Sequence, residues 1–516
     1  MRLEVVLAAQ AQRHRDRTAL ICRDRRVGYG ELIESVNRLA NGLAARGLGL
    51  GERIALYLPN GIEVVQLLYA ACALGAVAVP VTTRLTVREL AQSCEDSEAK
   101  LLVHHADQTA DLADFLAEHR DIATFVVGGD PGAGNAFEGL GAGPAGPLPP
   151  IPVEQEDCMI NFTSGTTGRP KGAIATHANI MVQHGFIHAV EWGISGADRF
   201  LVATPLAHRT GMARLINALC LGATIVIMER FDPAEAVAMI EAEGITVMGM
   251  VPTVCRMILP HIEAAPEKCA SLRLVVVTGE AFPVELKERF IALLPRTRLV
   301  SFFAMTEAGG VTSLSHEEQF THPKSVGRPT PGIEVRIVDE AGQELPTGEV
   351  GELLVRAGRP GAFTIMKGYL NDPEQTALAL RDGWLHTGDL AYCDGEGYLY
   401  IADRKKDMIL SGGLNIYSKE VEQAIVDCPG VADAAVVGVP DGTYGEAVAA
   451  YVETLPGAAP TADAIVAHCR ELIASYKKPK YVVFLDELPR NAIGKVLKRE
   501  LSERARRELP LEKEAG

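Results

Sequence analysis

The chain has 516 residues and is 47% hydrophobic, enough for a large core and for more than one domain. Its formal net charge of −16 argues against a nucleic-acid partner, which needs a basic face; a small anion needs only a few local donors and stays open. Ten scattered cysteines, without a C-x-x-C pair, speak against zinc or a disulfide framework and for a cytoplasmic protein.

Charged residues recur from Arg2 to Arg17 and leave no apolar stretch for a secretory signal. The periodicity predicts a helix over Tyr29–Arg46 and a strand over Arg53–Tyr57. The apolar run Val64–Val81 contains Gln66, Gly75 and Pro80, so it reads as a helix ending near Gly75 and then a buried strand. No membrane insertion is expected. Residues 128–153 are rich in Gly, Ala and Pro and read as a surface connection with no function of its own. Ala234–Glu243 predicts a helix and Thr246–Val251 a strand; such alternation indicates α/β architecture with largely parallel sheets. From Gly332 to Tyr369 the alternation becomes β-like, with turn signals at Ala341-Gly342 and Thr347-Gly348, as a small antiparallel sheet or barrel requires. The charged patch Asp403–Asp407 follows the strand-like Gly397–Ile401 and leaves about 110 residues, enough to fold separately.

The stretch Thr163-Ser-Gly-Thr-Thr-Gly-Arg-Pro-Lys-Gly172 follows the apolar run Cys158–Phe162. A strand entering such a loop is a phosphate cradle. Glycines let backbone N–H groups approach an anion, hydroxyls add donors, and Lys171 supplies charge. A Walker A loop is excluded, because Pro170 falls where that motif has its second Gly and Gly172 follows Lys171. Further segments follow: Thr204-Pro-Leu-Ala-His-Arg-Thr-Gly211, Thr278-Gly-Glu-Ala281, Ser301-Phe-Phe-Ala-Met-Thr-Glu307, Leu385-His-Thr-Gly-Asp-Leu390, Ser411-Gly-Gly413, Asp441-Gly-Thr-Tyr-Gly-Glu446 and Pro489–Lys498.

In this order the segments resemble the adenylate-forming superfamily, which includes acyl-CoA synthetases, peptide-synthetase adenylation domains and luciferases; in motif the chain is most similar to acyl-CoA synthetases. The resemblance implies a large N-terminal domain over 1–405, of doubly wound sheets plus a small β-barrel. A small, mobile α/β C-terminal domain over 406–516 completes the expected fold. It implies ATP and Mg²⁺ as requirements and a small to medium carboxylic acid as substrate. On it, Thr163, Ser164, Gly165, Thr166, Thr167, Gly168 and Lys171 hold phosphates, and Gly279, Glu280, Ala281 and Phe303 line adenine. Thr306 donates to a phosphate, Glu307 holds the metal, and Asp389, supported by Arg404, accepts from the ribose diol. Lys495 is the catalytic lysine, offsetting the repulsion between carboxylate and phosphate. His208 walls the acyl pocket beside the less usual Arg209, and Lys406 is the hinge between two C-terminal orientations. Gly309 and Gly310 are expected to leave space for bulky acids.

The expected acceptor is coenzyme A, with Gly412 and Gly413 passing its arm, Tyr444 stacking on its nucleotide, and Lys477, Lys478 and Lys480 meeting its 3′-phosphate. Ser301, Phe303 and Ala304 depart from the family's Asn, Tyr and Gly, as Leu414 and Ser418 depart from its Glu and Pro. Transfer to an amine is therefore the alternative, and a non-catalytic nucleotide-binding protein a distant one. A homodimer is the default expectation for assembly.

Overall fold

The computed structural model describes residues 1–152, 154–163, 170–279, 282–490 and 496–509. The chain divides into two compact units, one of Met1–Val335 with Val355–His386 and one of Arg336–Leu354 with Thr387–Gly516.

The first unit holds two twisted sheets. The seven-stranded sheet runs, by order of pairing, Gly368–Tyr369, Lys171–Thr176, Asp157–Thr163, Val77–Val81, Arg53–Tyr57, Leu101–His105 and Ala123–Val127. The nine-stranded sheet centres on Arg298–Met305, Leu274–Val277, Val247–Met250, Arg199–Val202 and Thr224–Ile227, paired in parallel. Buried residues from both sheets share one core with the helices Tyr29–Ala44, Ile62–Leu74 and Arg209–Leu221. Strands covered on both faces must be apolar throughout, as Leu274-Val-Val-Val277 is.

The run Val64–Val81 resolves as the helix Ile62–Leu74, stopped by Gly75 at φ +76°, and then the buried strand Val77–Val81. Only glycine adopts that left-handed cap without a Cβ penalty. No helix among the described residues is long and apolar enough to cross a membrane. The Gly/Pro-rich stretch is pinned to the helix Tyr29–Ala44: the Asn41 amide donates to the carbonyls of Pro144 and Gly146, and the Asn37 amide to that of Ala145. It is thus a strap whose own backbone is hydrogen-bonded, which its composition did not reveal.

In the second unit, Leu399–Arg404 pairs antiparallel with the 389–393 part of Trp384–Cys393. The small antiparallel sheet falls largely in this unit with the C-terminal segment. The charged patch 403–407 lies between the strands Leu399–Arg404 and Ile409–Ser411. Beyond it, Val431–Asp441, Gly445–Thr454 and Tyr481–Leu485 form a sheet with apolar cores on both faces, covered by helices Ser418–Val426, Ala462–Leu472 and Lys498–Glu508.

Candidate active site

The strands Asp157–Thr163 and Lys171–Thr176 form an antiparallel hairpin whose last pair is Thr163 with Lys171. Pairing thus brings the two ends of the phosphate motif side by side. The expected ligands Ser164, Gly165, Thr166, Thr167 and Gly168 lie outside the described residues, as do Glu280, Ala281 and Lys495.

Lys171 sends its ammonium into the first unit, where Nζ donates to Gln375 Oε1 at 2.5 Å and stands 5.2 Å from the Tyr369 ring centre. The Tyr369 hydroxyl donates to Glu307 Oε1 at 3.0 Å. Burial and the Glu307 charge both raise the phenol's pKa, so at neutral pH it stays a donor. Lys171, Tyr369 and Glu307 therefore form one chain of contacts, joining the edge of the seven-stranded sheet to the segment that follows Arg298–Met305. Among the described residues the hydrogen bond found on the Glu307 carboxylate is this one, at Oε1. Hard oxygen at a phosphate motif suits Mg²⁺, and the donor set fits that ion. Tyr369 and Gln375 carried no motif and were missed by sequence reasoning, because only strand pairing brings them to Lys171.

The adenine-side residues are partly placed. Gly279 follows the strand Leu274–Val277 at φ +102°, a backbone that side chains rarely adopt. Phe303 pairs with Thr312 across a bulged antiparallel register. Ser301 is committed elsewhere: its buried hydroxyl exchanges hydrogen bonds with the Gln319 amide at 3.1–3.3 Å.

Behind Thr306 and Glu307 the structure departs from the expected open space. Residues Met181–Ile187 form a π-helical turn, a form found often at functional sites. From it, the Gln183 amide lies against Gly309 and Gly310. Gln183 Oε1 accepts from Gly310 N at 2.7 Å, and a Cβ on Gly309 would stand 2.0 Å from that oxygen. The glycines make room for Gln183, not for a bulky acid. His188 stacks on Trp192 with ring centres 3.8 Å apart, and Trp192 packs on Phe302.

His208 precedes the helix Arg209–Leu221, and burial pushes its imidazole down to about 4, with the Arg84 charge acting in the same direction. It is neutral at pH 7. The next residue, Arg209, is a cation whose Nη1 donates to the Thr306 carbonyl.

In the second unit, cross-strand pairing sets Asp389 opposite Arg404. Arg404 Nε donates to Asp389 Oδ1 at 2.6 Å, and Asp389 is 1% exposed. Gly412 and Gly413 both have left-handed φ, +58° and +78°, and among the described residues no atom beyond its chain neighbours comes within 4 Å of a Cβ built on Gly413. The Tyr444 ring lies against Gly412 and is 60% exposed. The expected lysine cluster is largely neutralised: Lys477 Nζ pairs with Glu420, Lys480 Nζ pairs with Asp441, each at 2.6 Å, and Lys478 donates to the Ser475 carbonyl.

Ser418 shows why Pro is absent at its position. The buried Asp403 carboxylate accepts from the Ser418 N–H and, at 3.0 Å, from its hydroxyl. Proline supplies neither donor. Ser418→Pro is expected to cost about 2–3 kcal/mol of stability, and Ser418→Ala about 1 kcal/mol, by urea unfolding. A smaller cost for Pro than for Ala would refute this role for the N–H.

With the geometry in place, known proteins supply context. The AMP-binding enzyme family matches residues 7–370, and the AMP-binding enzyme C-terminal domain matches residues 420–495. A feruloyl-CoA synthase of Amycolatopsis sp is 37% identical over 489 residues, 92% of this chain and 93% of its own. The crystal structure of ATP-bound MatB from Rhodopseudomonas palustris superposes with a TM-score of 0.88 at 29% identity, covering 98% of this chain and 99% of that one. Amide bond synthetase McbA from Marinactinospora thermotolerans superposes with a TM-score of 0.85 at 27% identity, over 97% of this chain and 99% of its own.

Proposed function

The chain belongs to the AMP-binding enzyme family and is an ATP-dependent acid ligase, and from that premise we propose that it converts a small to medium carboxylic acid to its coenzyme A thioester. The observation that carries this reading is the contact chain Lys171–Tyr369–Glu307 beside the phosphate motif. In the first half-reaction a carboxylate oxygen bonds to the α-phosphorus of ATP, the bond to the β-phosphate oxygen breaks, and pyrophosphate leaves. In the second the thiol sulfur bonds to the acyl carbon, its proton is released, and AMP departs.

Lys171 meets phosphate charge, and Glu307, oriented by Tyr369, would hold Mg²⁺, which when bound offsets the charge of the leaving pyrophosphate. Asp389, paired with Arg404, presents a carboxylate to a ribose diol. Thr306 donates to phosphate, Phe303 packs on adenine, and Lys406 serves as the hinge between half-reactions. Lys495 bridges the attacking carboxylate and the α-phosphate. Lys495→Ala is expected to lower pyrophosphate release about 10²–10³-fold while largely sparing thioester formation from supplied acyl-adenylate. Equal loss in both half-reactions would remove Lys495 from the adenylation step.

The open backbone at Gly413 beside exposed Tyr444 supports coenzyme A as acceptor. Transfer to an amine is the second reading, favoured by the likeness to McbA and by the neutralised lysines at 477 and 480. Incubation with ATP, an acid panel and either coenzyme A or simple amines separates the two by product mass. An amide product without coenzyme A dependence would replace the first reading by the second.

A further inference from the structure

The helix Lys498–Glu508 opens on a cation, although a helix N-terminus carries partial positive charge and disfavours one there. The Lys498 side chain is largely buried and reaches inward. Its Nζ donates to Glu422 Oε1 at 2.7 Å and to the Ser418 hydroxyl oxygen at 2.6 Å. Glu422 Oε1 also accepts from the Val436 N–H at 2.9 Å, so that carboxylate is held from a second side.

From Ser418 the contacts run on in one direction. A hydroxyl has one proton to give and lone pairs to accept with, so Ser418 accepts from the ammonium and donates onward. Its hydroxyl donates to Asp403 Oδ1 at 3.0 Å, and the same oxygen accepts from the Arg404 N–H at 2.7 Å. Arg404 Nε in turn donates to Asp389 Oδ1 at 2.6 Å. A relay of polar contacts, all within the second unit, thus joins the first residue of the last helix to the carboxylate assigned to the ribose. Asp403 precedes Lys406, and Ser418 and Lys498 follow it, so the relay also joins the two sides of the proposed hinge.

Asp403 and Ser418 are fully buried, and a buried carboxylate is costly unless it is paired and hydrogen-bonded. Burial works against the Lys498 charge, but the Glu422 and Asp403 charges outweigh it and raise the proton affinity of the ammonium. Buried ion pairs of this kind add little net stability over a well-packed apolar alternative. Their use here asks for a positional reason, and strand pairing gives one. Arg404 faces Asp389 across the pair of strands, and Asp403 faces Leu390. What fixes the Asp403 carboxylate therefore fixes the backbone from which Arg404 reaches Asp389.

We propose that Lys498 is a positioning residue for nucleotide binding, which through Ser418, Asp403 and Arg404 holds Asp389 in register with the ribose diol. This rests on the reading that Asp389 binds the ribose, and it adds a residue that touches neither nucleotide nor acid. Lys498 supplies the cation at the head of the relay, and without it the buried Asp403 carboxylate loses the donor that Ser418 passes on. A carboxylate accepts from two vicinal hydroxyls only where its plane is fixed, so the loss is felt at the diol.

The test is calorimetric binding of ATP and of 2′-deoxyATP, each with Mg²⁺, to the full chain. A hydrogen bond to a carboxylate sets the wild-type preference for ATP at about 10- to 100-fold. Asp389→Ala should abolish that preference. Lys498→Met should lower it at least about threefold, and Lys498→Arg, which keeps a charged donor, should restore it. In an Asp389→Ala background Lys498→Met should leave the ratio unchanged, because it acts through that carboxylate. A merely structural loss would weaken both nucleotides alike and keep the ratio. Should Lys498→Met not fold, Ser418→Ala decides, since it retains the Lys498–Glu422 pair and interrupts the relay. Lys419 is the control for charge alone: Asp389 and Asp403 act on it electrostatically, but its side chain has no hydrogen bond or ion pair among the described residues. An equal fall of the ratio in Lys419→Met, or a wild-type ratio kept in both Lys498→Met and Ser418→Ala, overturns the inference and leaves Asp389 at the ribose. A wild type without preference, or a preference untouched by Asp389→Ala, overturns the ribose reading and the inference with it.

Discussion

Glu307→Gln is expected to lower acid-dependent pyrophosphate release about 10²–10³-fold, the scale of losing one charge-stabilising group in a transition state. The reasoning starts from the carboxylate's surroundings. One oxygen accepts from the Tyr369 hydroxyl at 3.0 Å, and the Lys171 ammonium stands 5.2 Å from that ring's centre. Glutamine retains the size and the acceptor for Tyr369 but carries no negative charge for a hard cation. Tyr369→Phe makes the complementary change, removing one hydrogen bond while the carboxylate stays. A net hydrogen bond of about 1–1.5 kcal/mol sets its cost at roughly five- to tenfold. Titration with Mg²⁺ separates the two: Glu307→Gln should need more Mg²⁺ for half-maximal rate, and Tyr369→Phe should not. A Glu307→Gln enzyme within about threefold of wild type, at unchanged Mg²⁺ dependence, would remove Glu307 from the metal role.

What could be read from the chain divides by distance along it. Local signals held where one segment determines the outcome. Gly75 stops a helix because only a left-handed cap fits there, and Val77–Val81 is apolar because both its faces are covered. The predicted helix Tyr29–Arg46 ends two residues early, at Ala44, because Ala45–Gly47 turn away from it. The Asp389–Arg404 pairing is also nearly local, set by neighbouring strands of one meander.

Contacts between remote segments were not legible. Tyr369 meets Glu307 across 62 positions, and Gln183 meets Gly310 across 127. Nothing in the sequence near Gly309-Gly310 says that the space they open is filled from a remote helical turn. The departures from the family pattern had similar causes. Ser301 serves Gln319 and Ser418 serves Asp403, so each replaces a family residue for reasons of packing that only the partner reveals. Lysines 477 and 480 looked like an anion site because their carboxylate partners lie 57 and 39 positions away.

The second large effect expected is on stability against pH, from four imidazoles buried in neutral form. Burial, with the Arg2 charge acting in the same direction, brings His177 to about 3. Burial brings His208 to about 4, and holds His184 and His188 well below the ordinary value. In the unfolded chain each titrates near 6.5. Below that pH the unfolded state binds more protons than the folded one, so stability rises with pH across the window and is lost on acidification. It is fully present above 6.5 and drains until the pH passes the folded values. Each group contributes up to about 1.4 kcal/mol per pH unit, so four together give a slope of about 5 kcal/mol per unit. Glu4 and Glu422, raised above the usual carboxylate value by burial, act in the opposite direction but are fewer. Against a total stability of about 5–15 kcal/mol, unfolding is expected near pH 5. Urea midpoints at pH 7, 6 and 5 should fall steeply in that order. His177→Asn should flatten the slope by about one proton, since Asn can still accept from the Leu3 N–H that His177 Nδ1 now takes at 3.3 Å. Midpoints that stay level from pH 7 to 5 would mean that these imidazoles take up protons as readily in the folded protein as in the unfolded chain.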